Sequence, residues 1–171
     1  MGESQYNERV EECSKAVESL SKELNISSLG EVDLDAFYIH QNLITDPVIL
    51  KRARHIITEN HRVGEAVKAL KNDDFEAFGN LMVQSHDSLR DDYEVTGFEL
   101  DCLVGISLSQ KGVLGARMTG AGFGGCTVAY VREENLDEFL TNVAAAYSEK
   151  TGLQAEFYLP EIGDGVRSFE L

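Results

Sequence analysis

The stretch Gly115-Ala116-Arg117-Met118-Thr119-Gly120-Ala121-Gly122-Phe123-Gly124-Gly125-Cys126-Thr127-Val128 constrains this chain more than any other. Gly120, Gly122, Gly124 and Gly125 set four glycines within six residues, and glycine takes positive φ without the steric cost other residues meet. On either side, Ala116 to Thr119 and Thr127 to Val131 read as strands. A bend of nearly bare main chain between two strands has two uses. It can be a tight β-turn whose glycines permit a sharp reversal. It can also aim successive N–H groups at an anion and cradle a phosphate. Spacing alone leaves both open.

Gly120, Gly122 and Gly125 spell G-x-G-x-x-G, but the dinucleotide fingerprint must open a helix where Cys126 to Val131 reads as strand. The G-K-[ST] of a Walker A loop is absent, as are the V-A-I-K, H-R-D and D-F-G of protein kinases. The common nucleotide folds are set aside on these grounds.

The first half of the chain is helical in pattern. Tyr6, Val10, Cys13, Val17, Leu20 and Leu24 recur at spacings of three and four, as one stripe of a helix. Asp46 before Pro47 predicts an N-cap and first-turn proline, with Ile49, Ala53, Ile56, Val63, Val67 and Leu70 as an apolar face. Asn72 or Asp73 can cap a further helix that turns Phe75, Phe78, Met82 and Leu89 inward, Gly79 allowing a close neighbour. Thr96 with Glu99 has the spacing of a capping box ahead of Leu100, Leu103 and Val104, and Lys111-Gly112 supplies a stop. After the glycine bend, Leu136, Phe139, Leu140, Val143 and Tyr147 return to helical spacing before Gly152. Two more strands are expected, at Ala155 to Leu159 and Val166 to Leu171. The order strand, strand, helix, strand, strand predicts an α+β fold, with the helical half packed on a mostly antiparallel, four-stranded sheet. With two prolines and no linker-like stretch, residues 1–171 read as one domain.

Charge and cysteine usage narrow the function. The formal net charge of −15 disfavours nucleic acid, which clustered Lys and Arg bind by neutralising phosphates. An acidic chain that holds an anion must do so with local backbone amides or a few placed cations. Cys13, Cys102 and Cys126 are odd in number and scattered, as in a reduced, cytoplasmic protein, and no apolar run approaches a membrane span. Asp91, Asp92 and Glu94 are of the type that hold hard cations, and equally the acids of an exposed helix end. Ser85, His86 and Asp87 contain the residue types of a catalytic triad, but neighbours on one helix point apart. His86 is therefore expected to be structural, like His40, His55 and His61.

Gly115 to Val128 resembles the third signature of the GHMP small-molecule kinases, in its galactokinase form. Tyr6-Asn7-Glu8-Arg9 with Glu12-Cys13, Arg52-Ala53-Arg54-His55 with Thr58-Glu59-Asn60, and Ser85 to Val95 are similar to galactokinase stretches in the same order. The resemblance implies the family's C-terminal domain over 1–171, in a ferredoxin-like arrangement, without the N-terminal domain that carries the catalytic carboxylate and phosphate loop. It further implies ATP-dependent phosphorylation of galactose at the anomeric hydroxyl with Mg²⁺, once the N-terminal domain is joined, and no catalytic residue in this segment. By position, Tyr6 matches the tyrosine that contacts the sugar, although an aromatic capping the apolar stripe would look the same. Gly120, Gly122, Gly124 and Gly125 match a turn that faces sugar and transferred phosphoryl group. A noncatalytic sensor of sugar and ATP, or a kinase of N-acetylgalactosamine or another small alcohol, would share these features.

Overall fold

The computed structural model describes residues 2–161 together with 163, 165 and 168, with side chains from Gln5 onward. The described residues form six α-helices and a two-stranded sheet: α1 (Gly2–Leu20), α2 (Leu34–His40), α3 (Pro47–Lys71), α4 (Phe75–Ser88), α5 (Phe98–Leu108), β1 (Val113–Thr119), β2 (Cys126–Val131) and α6 (Leu136–Thr151). Local chemistry sets most boundaries. The Asp46 carboxylate accepts the Val48 and Ile49 N–H groups while Pro47 occupies the first turn of α3, as its sequence predicts. The cap of α4 is Asp74, which accepts from Ala77 N–H, rather than Asn72 or Asp73. Gly152, with φ of 73°, closes α6 in the left-handed conformation. The expected capping box ahead of α5 does not form: Gly97, with φ of 132°, takes the N-cap position and Thr96 is buried.

The core has three parts. Ala16 and Leu20 of α1, Phe37 of α2 and Ile49, Ala53 and Ile57 of α3 form the first. Leu20, Phe37 and Ile57 are fully enclosed, and burial of side chains this size contributes about 1.5–3 kcal/mol each. Ile106 of α5 with Phe139, Val143 and Tyr147 of α6 form the second, against Val113, Ala129 and Val131 on one face of the sheet. Leu89, Val95, Leu100 and Met118 form a smaller third cluster that includes the Phe123 ring. The predicted stripe of α1 holds only at its C-terminal end: Tyr6 and Val10 are about half exposed, and the buried positions there are Arg9 and Glu12. Likewise Val63, Val67 and Leu70, expected to face inward, are exposed on the second half of α3.

β1 and β2 pair antiparallel from Val113↔Val131 to Thr119↔Cys126, with an irregularity at Leu114. Helix α4 lies directly on β1. A Cβ on Gly79 would stand 2.5 Å from the Leu114 carbonyl carbon, and one on Gly115 would stand 2.7 Å from the Gly79 Cα, so two bare backbones meet there.

The fold is α+β, but two strands stand where four were expected. Ala155 to Leu159 has no ladder partner. Leu153, Phe157, Tyr158 and Leu159 are exposed, so that segment lacks both the hydrogen-bonding edge and the covered face a strand needs. Ala155 alone among them packs on the α5/α6 cluster. The fourth expected strand, Val166 to Leu171, lies outside the described residues apart from Ser168. Among the described residues one hairpin stands in place of the expected ferredoxin-like sheet, with α5 and α6 over one face, and α1 to α3 form a helical body of their own rather than packing on a sheet. No described helix is long and apolar enough to cross a membrane.

Candidate functional site

The glycine bend between β1 and β2 is at the surface. Gly120, Ala121, Gly124 and Gly125 are exposed, and Gly122 and Phe123 are half-buried. Gly120, Gly122, Gly124 and Gly125 have φ of 89°, 85°, 120° and 119°, and Phe123 follows them into the left-handed region at 59°. Phe123 N–H donates to the Val95 carbonyl at 2.7 Å. Among the described residues, the N–H groups of Gly120, Gly122 and Gly124 donate to no protein acceptor. That leaves unpaired donors on an exposed turn, which suits an anion or a set of sugar hydroxyls.

The glycines are not equivalent. A Cβ at Gly122 would lie 2.9 Å from the Val95 Cβ and closer still to the Val95 carbonyl oxygen, so this glycine is required by packing within the chain. Gly120 and Gly124 have open space around them, and their positive φ is what calls for glycine.

The peptide that receives the turn is itself held on the opposite flank by α1 and α3. After α4 a π-helical turn, Leu89–Tyr93, ends at Glu94 in the left-handed conformation. Arg9 of α1 donates through Nε to the Tyr93 carbonyl at 2.8 Å and through Nη1 to Glu12 at 2.8 Å. Arg52 of α3 donates through Nε to the same Glu12 oxygen, through Nη1 to the Asp92 carbonyl at 2.6 Å, and through Nη2 to the Glu94 carboxylate. Bonds from Arg52 and Lys51 hold the Glu94 carboxyl below its usual pKa. Tyr6 is on the same helix as Arg9, one turn earlier, and is exposed. The Tyr93 phenol is pushed up to about 12, by burial first and then by Cys13, with a further small push from Tyr6 nearby. The helix that carries Tyr6, through Arg9, and the glycine bend, through the Phe123 N–H, are therefore both bonded to one short segment, 93–95.

The acidic cluster is accounted for by cations. Asp91 is bonded to Arg90, which lowers its pKa; Asp92 pairs with Arg54 at 3.1 Å; Glu94 pairs with Lys51 and Arg52. No group of three or more metal-ligating side chains is assembled among the described residues. Asp92 and Glu94 tie the π-turn to α3, whereas Asp91, paired with its neighbour Arg90, stays at the surface.

The buried histidines are structural. His86 Nδ1 accepts the Met118 N–H at 3.2 Å, occupying the edge of β1, while its Nε2 stands 3.3 Å from Asp101 Oδ1 without the angle of a hydrogen bond. His55 stacks on Tyr93 with ring centroids 4.4 Å apart and meets Ser88 Oγ at 3.0 Å. Burial lowers the pKa of both, to about 4 for His55. Ser85 bonds Glu59, not its neighbour His86, so no triad forms. A groove of about 470 Å³ between α3, α4 and the sheet is lined by Val63, Phe78, Val128 and Tyr130 with Glu59 and Arg117; it reaches Thr119 but is not lined by the glycines beyond.

Periodicity did not single out Arg9, Arg52, Val95 or Phe123. The available signal was the run of charged residues, Arg9 and Glu12, between apolar positions of α1 where a solvated face would otherwise be read.

Residues 66–149 match the family described as GHMP kinases C terminal. The chain is 52% identical over 98% of its length to a galactokinase of Clostridium acetobutylicum and 53% identical over 98% to one of Enterococcus faecalis, covering 43% of each. A crystal structure of Lactococcus lactis galactokinase complexed with galactose superposes with a TM-score of 0.90 at 47% identity, over 95% of this chain and 42% of that one. The chain thus spans less than half the length of the curated relatives it matches. A matching family domain, about 50% identity aligned over nearly the whole chain and a shared fold together assign the chain to the GHMP kinase family, with its similarity to less than half the length of galactokinases.

Proposed function

We propose that this chain is the sugar-facing C-terminal part of an enzyme that transfers the γ-phosphoryl group of ATP to the anomeric hydroxyl of galactose. The observation that carries the reading is the exposed glycine bend, whose Gly120, Gly122 and Gly124 N–H groups have no protein acceptor among the described residues. Phosphoryl transfer asks a protein mainly to position the reactants and stabilise spreading charge, and fixed backbone donors suit both tasks. They would hold sugar hydroxyls or oxygens of the transferred group, and Tyr6 would offer its phenol to the sugar from the first turns of α1. ATP supplies the phosphoryl group when bound. The side chains here do not suit Mg²⁺, since Asp91, Asp92 and Glu94 are each already paired with arginine or lysine, and no step is assigned to the ion in this part of the protein. The catalytic base and phosphate loop belong to the N-terminal portion that the longer relatives possess. Three free cysteines suit a reducing cytoplasm.

The test is a galactose phosphorylation assay on the chain alone and fused behind the N-terminal portion of the Clostridium acetobutylicum relative. No turnover alone and ATP-dependent turnover in the fusion are expected. Turnover by the chain alone would refute the division of labour, and a fusion that phosphorylates N-acetylgalactosamine but not galactose would refute the substrate. Gly124→Ala in the fusion, which meets no neighbour but strains φ, should lower kcat/KM for galactose about tenfold. Gly122→Val is uninformative, because it collides with Val95 whatever the turn binds.

A further inference from the structure

We propose that Arg9 is a positioning residue that fixes the distance between Tyr6 and the glycine bend; this rests on the reading of those two features as parts of one sugar site. Four consecutive carbonyls at the end of the π-turn are each taken by a specific donor. Asp92 O accepts from Arg52, Tyr93 O and Glu94 O from Arg9, and Val95 O from the Phe123 N–H of the glycine bend. The last carbonyls of a helix have no intrahelical partner and are ordinarily left to water or a cap. Here two guanidinium groups fulfil that need, and their planar forks fix direction as well as distance.

The arginines are not independent. Both donate to the one Glu12 oxygen at 2.8 Å, and Arg9, Arg52 and Glu12 are 8%, 3% and 9% exposed. A buried carboxylate between two buried cations has few alternative arrangements, because moving any member strands a charge away from water. Glu12 and Arg9 are on α1, Arg52 is on α3, and the carbonyls belong to the segment that ends α4. Three helices are therefore registered at one point. Tyr6 is three residues before Arg9, and the Phe123 amide is bonded to the peptide immediately after those Arg9 holds. The chain of bonds from the Tyr6 helix to the glycine bend thus has Arg9, Glu94 O, Val95 O and Phe123 N–H as its links.

Loss of the fork at Arg9 should let α1 shift relative to the bend while both survive. A general loss of folded enzyme lowers kcat in proportion and leaves KM unchanged, whereas a misplaced sugar contact raises the galactose KM. In the fusion protein described above, Arg9→Lys keeps the charge and loses the fork. The expected result is a galactose KM raised about tenfold, equivalent to about 1.4 kcal/mol of binding, with the ATP KM unchanged. A fall in kcat alone, or an unchanged galactose KM in folded protein, overturns the inference. Should Arg9→Lys be too unstable to assay, Glu12→Gln, which retains volume and every carbonyl acceptor, carries the same expectation. Failure of both variants to fold would assign the network to stability alone and overturn the inference too. Tyr6→Phe disturbs none of these bonds and separates the two readings. If it leaves the galactose KM unchanged, the sugar-site reading fails; if it raises KM while Arg9→Lys does not, only the positioning role fails.

Discussion

Gly79→Ala and Gly64→Ala make the same chemical change on two helices and should move stability in opposite directions. Each replaces glycine in a helix interior, where alanine is favoured by about 1 kcal/mol. Gly64, within α3, has nothing within 4 Å of a Cβ, so the gain is unopposed. At Gly79 the new methyl would enter the β1 backbone, 2.5 Å from the Leu114 carbonyl carbon. A side chain could rotate away, but a paired strand cannot without moving its ladder. Overpacking costs about 1–3 kcal/mol, and a backbone neighbour puts Gly79 at the upper end. Taking about 3 kcal/mol of strain and subtracting about 1 kcal/mol of helix propensity leaves a net loss of about 2 kcal/mol. For a chain of this size each kcal/mol corresponds to roughly 2–4 °C. Thermal unfolding followed by circular dichroism should therefore show Gly79→Ala melting about 4–8 °C below the parent and Gly64→Ala about 2–4 °C above it. A Gly79→Ala melt within 1 °C of the parent, or a parallel fall in both variants, would refute the direct contact of α4 with β1.

Stability should also decline on acidification. His55 is held neutral with its pKa near 4, against an ordinary value of 6.5, so between these limits the unfolded chain binds the extra proton. The contribution is fully present above pH 6.5 and is lost as pH falls towards 4, about 2 kcal/mol by pH 5; His86 acts in the same direction. Urea unfolding at pH 7 and pH 5 should show a smaller loss in His55→Gln than in the parent, and equal losses would refute the assignment. Asp46→Ala removes the acceptor for two N–H groups at the start of α3 and should cost about 1 kcal/mol, read as a fall of 2–4 °C in Tm. Gly152→Ala meets no neighbour but forces alanine into the left-handed conformation that ends α6; a loss of about 1 kcal/mol is expected by urea titration, and no loss would contradict that helix end.

Features governed by neighbouring residues were legible in the sequence. The Asp46-Pro47 start of α3, the Gly152 stop of α6 and the glycine hairpin all follow from backbone chemistry within a few positions. Gly79 was legible as a site of close approach, though not its partner. Features governed by distant pairing were not. Arg52 meets Glu12 across 40 residues and Arg9 meets Tyr93 across 84, so periodicity assigned the α1 face to Tyr6 and Val10, while two charged side chains occupy the interior. Helix α2 was missed because its seven residues show less than two full turns of pattern, although Asp33 is a recognisable cap. The Ala155 to Leu159 segment has strand-forming residues but lacks an edge to join, which composition cannot reveal. In the candidate site, the glycine bend was legible as a turn, but the packing requirement at Gly122, set by Val95, was not.

Phe123 has one further consequence. A bulky residue at φ of 59° is disfavoured on its own, and it stays there because its ring is seated among Leu89, Val95, Leu100 and Met118 while its amide is bonded to Val95. The glycine loop is thus moored by one aromatic plug, and the outward donors inherit their aim from an oily socket beneath them. Repacking that socket, by shortening Met118 or Leu100, would shift the exposed bend without altering any of its four glycines.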